Sequence, residues 1–136
     1  MNTKSMNGVK IPVFIQEYPE PGIEPSYVGY YNPDFSSTVL KPDKSVLDPS
    51  KSVSVYPHSN EFNWGYEGSG PAQLALAILI EELKDNELAF ILHQEFKRDI
   101  IARFLQGEVW SLPIKVVKDW VKLHANLDLD GQVRIS

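Results

Sequence analysis

The chain has 136 residues, of which 43% are hydrophobic and 23% are charged. This balance is ordinary for one soluble globular domain with a core of its own. Cysteine is absent, which excludes disulfide bonds, zinc–thiolate sites and thiol catalysis. The net charge of −5 disfavours binding to duplex nucleic acid, because such proteins usually present a basic face.

Membrane insertion is also disfavoured. The first ten residues, MNTKSMNGVK, lack the apolar segment of a signal peptide. The longest uninterrupted apolar run, residues 74–80, is too short to span a bilayer. The sequence therefore predicts a cytoplasmic protein without a membrane partner.

Prolines and short β-branched runs dominate the first part of the chain. After a flexible lead-in over residues 1–8, we expect strands within 9–15, 27–31, 36–40 and 53–56. Pro12 places the first of these at a sheet edge or a bulge. Residues 9–56 therefore predict a small antiparallel sheet, followed by a glycine-rich loop over 57–70.

The second part is helical. Pro71 suits the start of a helix that is apolar on nearly all sides, which predicts the central buried element. Asp85 or Asn86 can cap a second helix over 87–106, and Ser111 can cap a third that holds Pro113 in its first turn. The prediction is a single domain over 1–136, of α+β class, with the N-terminal sheet packed on a three-helix layer over 71–124.

Spacing on the second helix separates a buried side from an exposed one. The predicted buried residues are Leu88, Leu92, Phe96 and Ile100, widened by Ile91 and Phe104. The predicted opposite side holds His93, Gln94, Lys97 and Arg98. Asp99 and Arg103 have the spacing of an i,i+4 ion pair.

The tail, NLDLDGQVRIS, has two interpretations. Asn126, Asp128 and Asp130 have the spacing of ligands in a calcium loop, but the glutamate at position 12 and the exiting helix are missing. A hairpin over 125–136 that pairs Leu129 with Val133 is the favoured alternative, with Leu127 opposite Ile135.

A candidate ligand site lies around GYEGSGPAQ, residues 65–73. A helix start presents unpaired N–H groups and partial positive charge, and glycines allow a ligand to approach closely. The spacing matches neither a P-loop nor a dinucleotide fingerprint, and the glycines could instead only cap and pack the helix. The candidate ligand-binding residues are His58, Trp64, Gly65, Tyr66, Gly68, Ser69, Gly70, Gln73 and Lys97.

The remaining candidates are aromatic residues and histidines. Trp64 and Tyr66 could stack on a ring of a ligand or pack the loop onto the sheet. The three histidines, His58, His93 and His124, share no predicted element, so we expect neither a metal nor a cofactor.

Residues 58–79, HSNEFNWGYEGSGPAQLALAIL, resemble the signature of a family of unknown function found in bacteria, archaea, plasmids and phages. That signature reads HSPtGFEWGYGGSGPAQLALALL, followed by YQxFK and Trp-x-Leu segments, which HQEFK (93–97) and WSL (110–112) match here. Glu67 replaces a glycine, and Asn60-Glu61 replace a proline-containing turn. The resemblance covers residues 53–121 and implies a role in phage or plasmid interaction with the host, without an assigned activity.

Three functions remain open from the sequence. The first is a non-catalytic protein that binds a small anionic, nucleotide-like ligand, or a host protein, through residues 58–73. The second is a structural or regulatory interaction module, capable of homo-oligomerisation, in which the glycines are architectural. The third is a small hydrolase using His58, Ser69 and either Glu61 or Glu67, which is disfavoured because no matched nucleophile, base and orienting residue can be identified.

Overall fold

The computed structural model describes residues 4–6, 9–11, 24–127 and 133–135, with side chains over 24–125. Within this part the fold is α+β, as predicted. Two short strands, β1 (Lys4–Met6) and β2 (Val9–Ile11), pair antiparallel with each other. β1 lies inside the stretch that was predicted to be a lead-in without regular structure.

The main sheet has three antiparallel strands. Its central strand, β3 (Ser26–Tyr31), pairs with β4 (Ser37–Leu40) on one side and with β5 (Trp110–Pro113) on the other. The strands predicted over 27–31 and 36–40 are thereby confirmed. The Trp110 ring lies over Gly29, where any Cβ atom would come within 2.4 Å of the indole nitrogen, so β3 needs glycine at this position.

β5 corrects two predictions. Ser111 was predicted to cap the last helix, with Pro113 in its first turn, but both residues belong to a fully buried strand. Pro113 stands at the cap position instead, and α4 (Ile114–His124) follows it. All four residues of β5 are buried, so the strand lacks the alternation of polar and apolar residues that marks a half-buried strand.

The strand predicted over 53–56 is wrong, because the segment forms helix α1 (Pro49–Val55). The Asp48 carboxylate accepts a hydrogen bond from the Ser50 amide at 2.9 Å, and Pro49 occupies the first helical position. An aspartate cap followed by proline is a helix start signal. That signal outweighs the β-branched character of Val53 and Val55.

α2 (Ser69–Leu83) is the central element, as predicted, because residues 70–80 are all buried. The helix begins two residues earlier than expected, so Pro71 is its third residue, still within the first turn where a missing N–H costs nothing. The helix ends at Lys84, which adopts a left-handed conformation.

α3 (Asn86–Asp99) is capped by Asp85, whose carboxylate accepts from the Leu88 amide at 3.0 Å. It ends earlier than the predicted residue 106, and a 3₁₀ turn (Ile101–Arg103) follows it. Its buried side also differs from the prediction: Ile91 is 51% exposed, whereas His93 is only 2% exposed. The carboxylate of Asp99 bonds Trp120 and His124 rather than forming the predicted pair with Arg103.

At the other end, β6 (Ala125–Leu127) pairs antiparallel with β7 (Val133–Ile135). Leu127 lies opposite Val133, so the predicted pairing of Leu129 with Val133 is wrong. Residues 128–132, which hold the predicted turn and most of the calcium-loop positions, lie outside the described residues.

One hydrophobic core joins the sheet to α2, α3 and α4. The Tyr27 hydroxyl of β3 donates to the Glu82 carboxylate near the end of α2 at 2.6 Å, which ties the sheet to the helix. Burial and this carboxylate raise the pKa of Tyr27 far above its ordinary value, so the hydroxyl stays a donor. None of the described helices is long and apolar enough to cross a bilayer.

Candidate functional site

The loop before α2 is fastened to the sheet by Asn63 and Trp64. The Asn63 side-chain oxygen accepts hydrogen bonds from the Trp64 amide and the Tyr31 hydroxyl. Trp64 is fully buried, donates its indole N–H to the Glu108 carbonyl at 2.9 Å, and packs 4.5 Å from the Tyr31 ring. Trp64 is therefore a core residue, so of the two aromatic residues predicted to stack on a ligand only Tyr66 is accessible.

Gln73 holds the same loop from the helix side. Its buried side-chain oxygen accepts from the amides of His58 at 2.7 Å and Ser59 at 2.9 Å. Its nitrogen donates to the Ser52 hydroxyl and the Tyr56 carbonyl. The amide of Gln73 is thus fully used within the fold, and it links α1, the loop and α2 rather than facing a ligand.

Two of the glycines are required by the fold. Gly65 has a φ of +86°, and a Cβ atom there would lie 2.5 Å from the backbone of Gln106. A Cβ atom at Gly70 would lie 2.7 Å from the Asn63 side chain. These positions let the loop pass close to the turn after α3 and to its own start, which supports an architectural role for these two glycines.

The start of α2 remains accessible despite this packing. Gly68 is the cap residue and supplies no capping side chain, and Pro71 has no N–H. Within residues 24–127, no acceptor bonds the amides of Ser69 and Gly70. The partial positive charge of the helix start is therefore not neutralised by a cap.

A polar cleft of about 250 Å³ opens at this helix start. Hydroxyl groups and an amide line most of it, together with one carboxylate and the aromatic ring of Tyr66, which is 36% exposed. The lining residues used below are Tyr31, Ser59, Glu61, Asn63, Tyr66 and Ser69. Burial, with Tyr66 nearby, raises the pKa of Tyr31, so its hydroxyl remains protonated.

Lys97 does not line this cleft. Its ammonium group lies 3.4 Å from the Glu67 carboxylate, and its side chain is only 12% exposed. Lys97 was predicted to supply a positive charge beside a bound anion. This geometry disfavours that role, because the Glu67 carboxylate already neutralises the Lys97 ammonium group. The pairing also explains why glutamate at position 67 is accommodated in the loop.

A contact between two histidines was not predicted from the sequence. His58 Nε2 lies 2.8 Å from His93 Nε2, which joins the loop to α3. His93 Nδ1 must donate to the Phe90 carbonyl, 2.6 Å away, so in the neutral ring its Nε2 accepts the proton of His58 Nε2. Burial lowers the pKa of both histidines, and the charge of Lys97 adds to the effect. The sequence did contain a signal that His93 is buried. His93 lies one helical turn from Ala89 and from Phe96, which are both on the buried side of α3.

The hydrolase set proposed from the sequence is not brought together. Ser69 lines the cleft, whereas the Nε2 atom of His58 is engaged with His93. Among residues 24–127, no hydrogen bond joins Ser69 to a histidine or to a carboxylate. Elsewhere in this range, Glu95, Asp99 and His124 bring together atoms that could bind a metal ion.

A model of a family of unknown function, DUF6166, matches residues 27–123. The chain belongs to DUF6166. Searches of curated proteins and of solved structures gave no significant match. The DUF6166 match begins within β3 and ends within α4, so the cleft, the histidine pair and the glycine-rich loop all lie inside the part shared with the family.

Proposed function

We propose that this DUF6166 protein is a non-catalytic binding protein whose cleft takes a small anionic, nucleotide-like ligand. The observation that carries the proposal is the polar cleft of about 250 Å³ at the uncapped start of α2. This volume is below the range of ordinary small-molecule pockets, roughly 300–1,000 Å³. A nucleoside monophosphate or a sugar phosphate therefore suits it better than a dinucleotide.

The cleft offers a partner to each part of such a ligand. The amides of Ser69 and Gly70 and the dipole of α2 favour a phosphate group. The Tyr31 hydroxyl donates its proton to Asn63, so it offers the ligand an acceptor. Tyr66 supplies a ring on which a base can stack, a contact worth about 1–3 kcal/mol.

The Glu61 carboxylate at the rim constrains the ligand further. A carboxylate repels a bare anion, but it accepts hydrogen bonds from the hydroxyl groups of a sugar. The combination of helix start and carboxylate therefore favours a phosphorylated sugar or a nucleotide over inorganic phosphate. His58, Gln73 and Lys97 contribute to this site only by holding the loop in place.

A host protein is a second candidate partner, favoured by one observation. Phe35 lines the same cleft, is 89% exposed and has a φ of +70°. An exposed aromatic ring beside a polar cleft suits a protein contact. The cytoplasmic location and the association with phages or plasmids that the sequence implies belong to this proposal.

A thermal-shift screen tests the ligand proposal. Nucleoside monophosphates, sugar phosphates and inorganic phosphate are added separately, and a ligand present at 100 times its Kd stabilises the fold by about 2.7 kcal/mol. We expect a rise in Tm with a nucleotide or sugar phosphate, a smaller rise with phosphate, and a clear reduction of the nucleotide response alone in Tyr66→Ala. Tyr30→Ala, which removes the same kind of side chain from a position of β3 outside the cleft, is the control. No rise with any of these ligands would overturn the proposal.

A further inference from the structure

A cluster of three side chains lies outside the cleft, where α3 meets the end of α4. Glu95 and Asp99 are one turn apart on α3, and His124 is the last residue of α4. One ligand atom from each lies within 4.8 Å of the other two. No metal site was predicted here, because His124 shares no predicted element with another histidine, whereas two carboxylates and one imidazole can also form a donor set.

The hydrogen bonds of His124 fix which of its nitrogens faces the carboxylates. His124 Nδ1 lies 2.8 Å from the Trp120 carbonyl, which can only accept, so Nδ1 carries a proton. His124 Nε2 then lies 3.3 Å from an oxygen of Asp99. Nε2 is therefore the ring nitrogen that faces the carboxylates and that can supply a lone pair to a metal cation.

Trp120 orients two members of the cluster from outside it. Its indole N–H donates to Asp99 Oδ2 at 2.9 Å, and its ring stacks on His124 with centroids 4.1 Å apart. Metal-binding histidines usually donate their second ring nitrogen to a carbonyl or carboxylate, and metal-binding carboxylates are themselves hydrogen-bonded. Trp120 supplies both kinds of support in this cluster.

We propose that Glu95, Asp99 and His124 bind a first-row divalent transition-metal ion such as Zn²⁺. Ligand atoms held about 2.0–2.2 Å from one ion lie roughly 3–3.6 Å apart, so a small rotation of the half-exposed Glu95 side chain completes the set. An imidazole ligand favours Zn²⁺ over Ca²⁺ or Mg²⁺, which prefer oxygen atoms alone. Three protein ligands leave a coordination position for water or for another molecule.

The test measures Zn²⁺ binding to the full chain at pH 7.5 by calorimetry and by the shift in Tm. Glu95→Gln keeps the size of the side chain and removes one ligand charge. Loss of an outer-shell partner typically weakens metal binding by roughly 10–100-fold. Loss of a direct ligand in Glu95→Gln is therefore expected to weaken Zn²⁺ binding by at least as much. Asp99→Asn should do the same while keeping an acceptor for the Trp120 N–H. Glu87→Gln, in the first turn of the same helix, is the control and should bind as the wild type does.

Three outcomes would overturn the proposal. The first is no binding of Zn²⁺ to the wild type, either by calorimetry or by a shift in Tm. The second is equal binding by the wild type, Glu95→Gln and Asp99→Asn, which would place the ion elsewhere. The third is a preference for Ca²⁺ that survives His124→Gln, which would assign cation binding to oxygen ligands alone.

Discussion

His58 Nε2 and His93 Nε2 lie 2.8 Å apart, so one hydrogen bond between two neutral imidazoles fastens the loop before α2 to α3. Only one proton fits between the two nitrogen atoms. When both rings are protonated, two N–H groups face each other and the contact becomes repulsive. The pair therefore makes the attachment of this loop sensitive to pH.

We expect stability to fall as the pH drops below about 6.5. Burial holds the folded-state pKa of both histidines below their ordinary value of 6.5, so the unfolded chain binds more protons in this range. The free energy of unfolding therefore rises with pH through this window and levels off above it. Urea denaturation between pH 5.5 and 7.5 measures the slope, which His93→Gln and His58→Gln should reduce. Equal slopes in the wild type and both variants would contradict this account of the pair.

The hydrogen bonds of the Gln73 side chain are expected to stabilise the fold. Gln73→Ala removes four hydrogen bonds and leaves the Ser59 amide without its acceptor, whereas Ser52 still donates to Pro49 and the His58 amide still bonds the Tyr56 carbonyl. Each lost hydrogen bond costs about 0.5–1.5 kcal/mol, and the unsatisfied amide adds to that cost. We therefore expect a loss of about 3 kcal/mol or more in chemical denaturation.

Gln94→Ala is the matched control for Gln73→Ala. Gln94 is a half-buried glutamine of the neighbouring helix whose side chain has no hydrogen bond within residues 24–125. This variant should stay within about 0.5 kcal/mol of the wild type. If both variants lost stability equally, the hydrogen bonds of Gln73 would not be what fastens the loop.

Two glycines with positive φ allow the energetic cost of backbone strain to be measured apart from the cost of a steric clash. Gly65 and Gly107 have similar φ values, +86° and +81°, but a Cβ atom at Gly65 meets the Gln106 backbone at 2.5 Å, whereas at Gly107 it meets nothing within 4 Å. Gly107→Ala should cost about 1–2 kcal/mol from the left-handed conformation alone. Gly65→Ala should cost clearly more, and equal losses in thermal denaturation would show that the close approach to Gln106 is unimportant.

Helices α2, α3 and α4 and the central position of α2 were predictable because each of these helices has a long apolar pattern. The glycine-rich loop was also recognisable, but the sequence could not distinguish which of its residues face inwards. Trp64 and Gln73 turned out to hold the fold, whereas Tyr66 and Ser69 reach the cleft. That division depends on contacts with Glu108, Ser52 and Tyr56, which are distant in sequence.

Two errors have different physical causes. α1 was predicted as a strand because the propensity of two valines outweighed the cap at Asp48, a local signal that was available. His93 was placed on the exposed side because Ile91 was assumed to be buried. A helix of mixed composition has more than one plausible apolar side, and only its tertiary neighbours select one.

The central claim is that a phosphorylated ligand binds at the start of α2. It is tested most directly by NMR titration of the ¹⁵N-labelled protein with the nucleoside monophosphate that gives the largest shift in Tm. The account predicts saturable changes at the amides of Ser69 and Gly70 and around Tyr66, and their loss in Tyr66→Ala with an unchanged fold. Saturable changes confined to residues outside the cleft, or none at millimolar ligand, would contradict it.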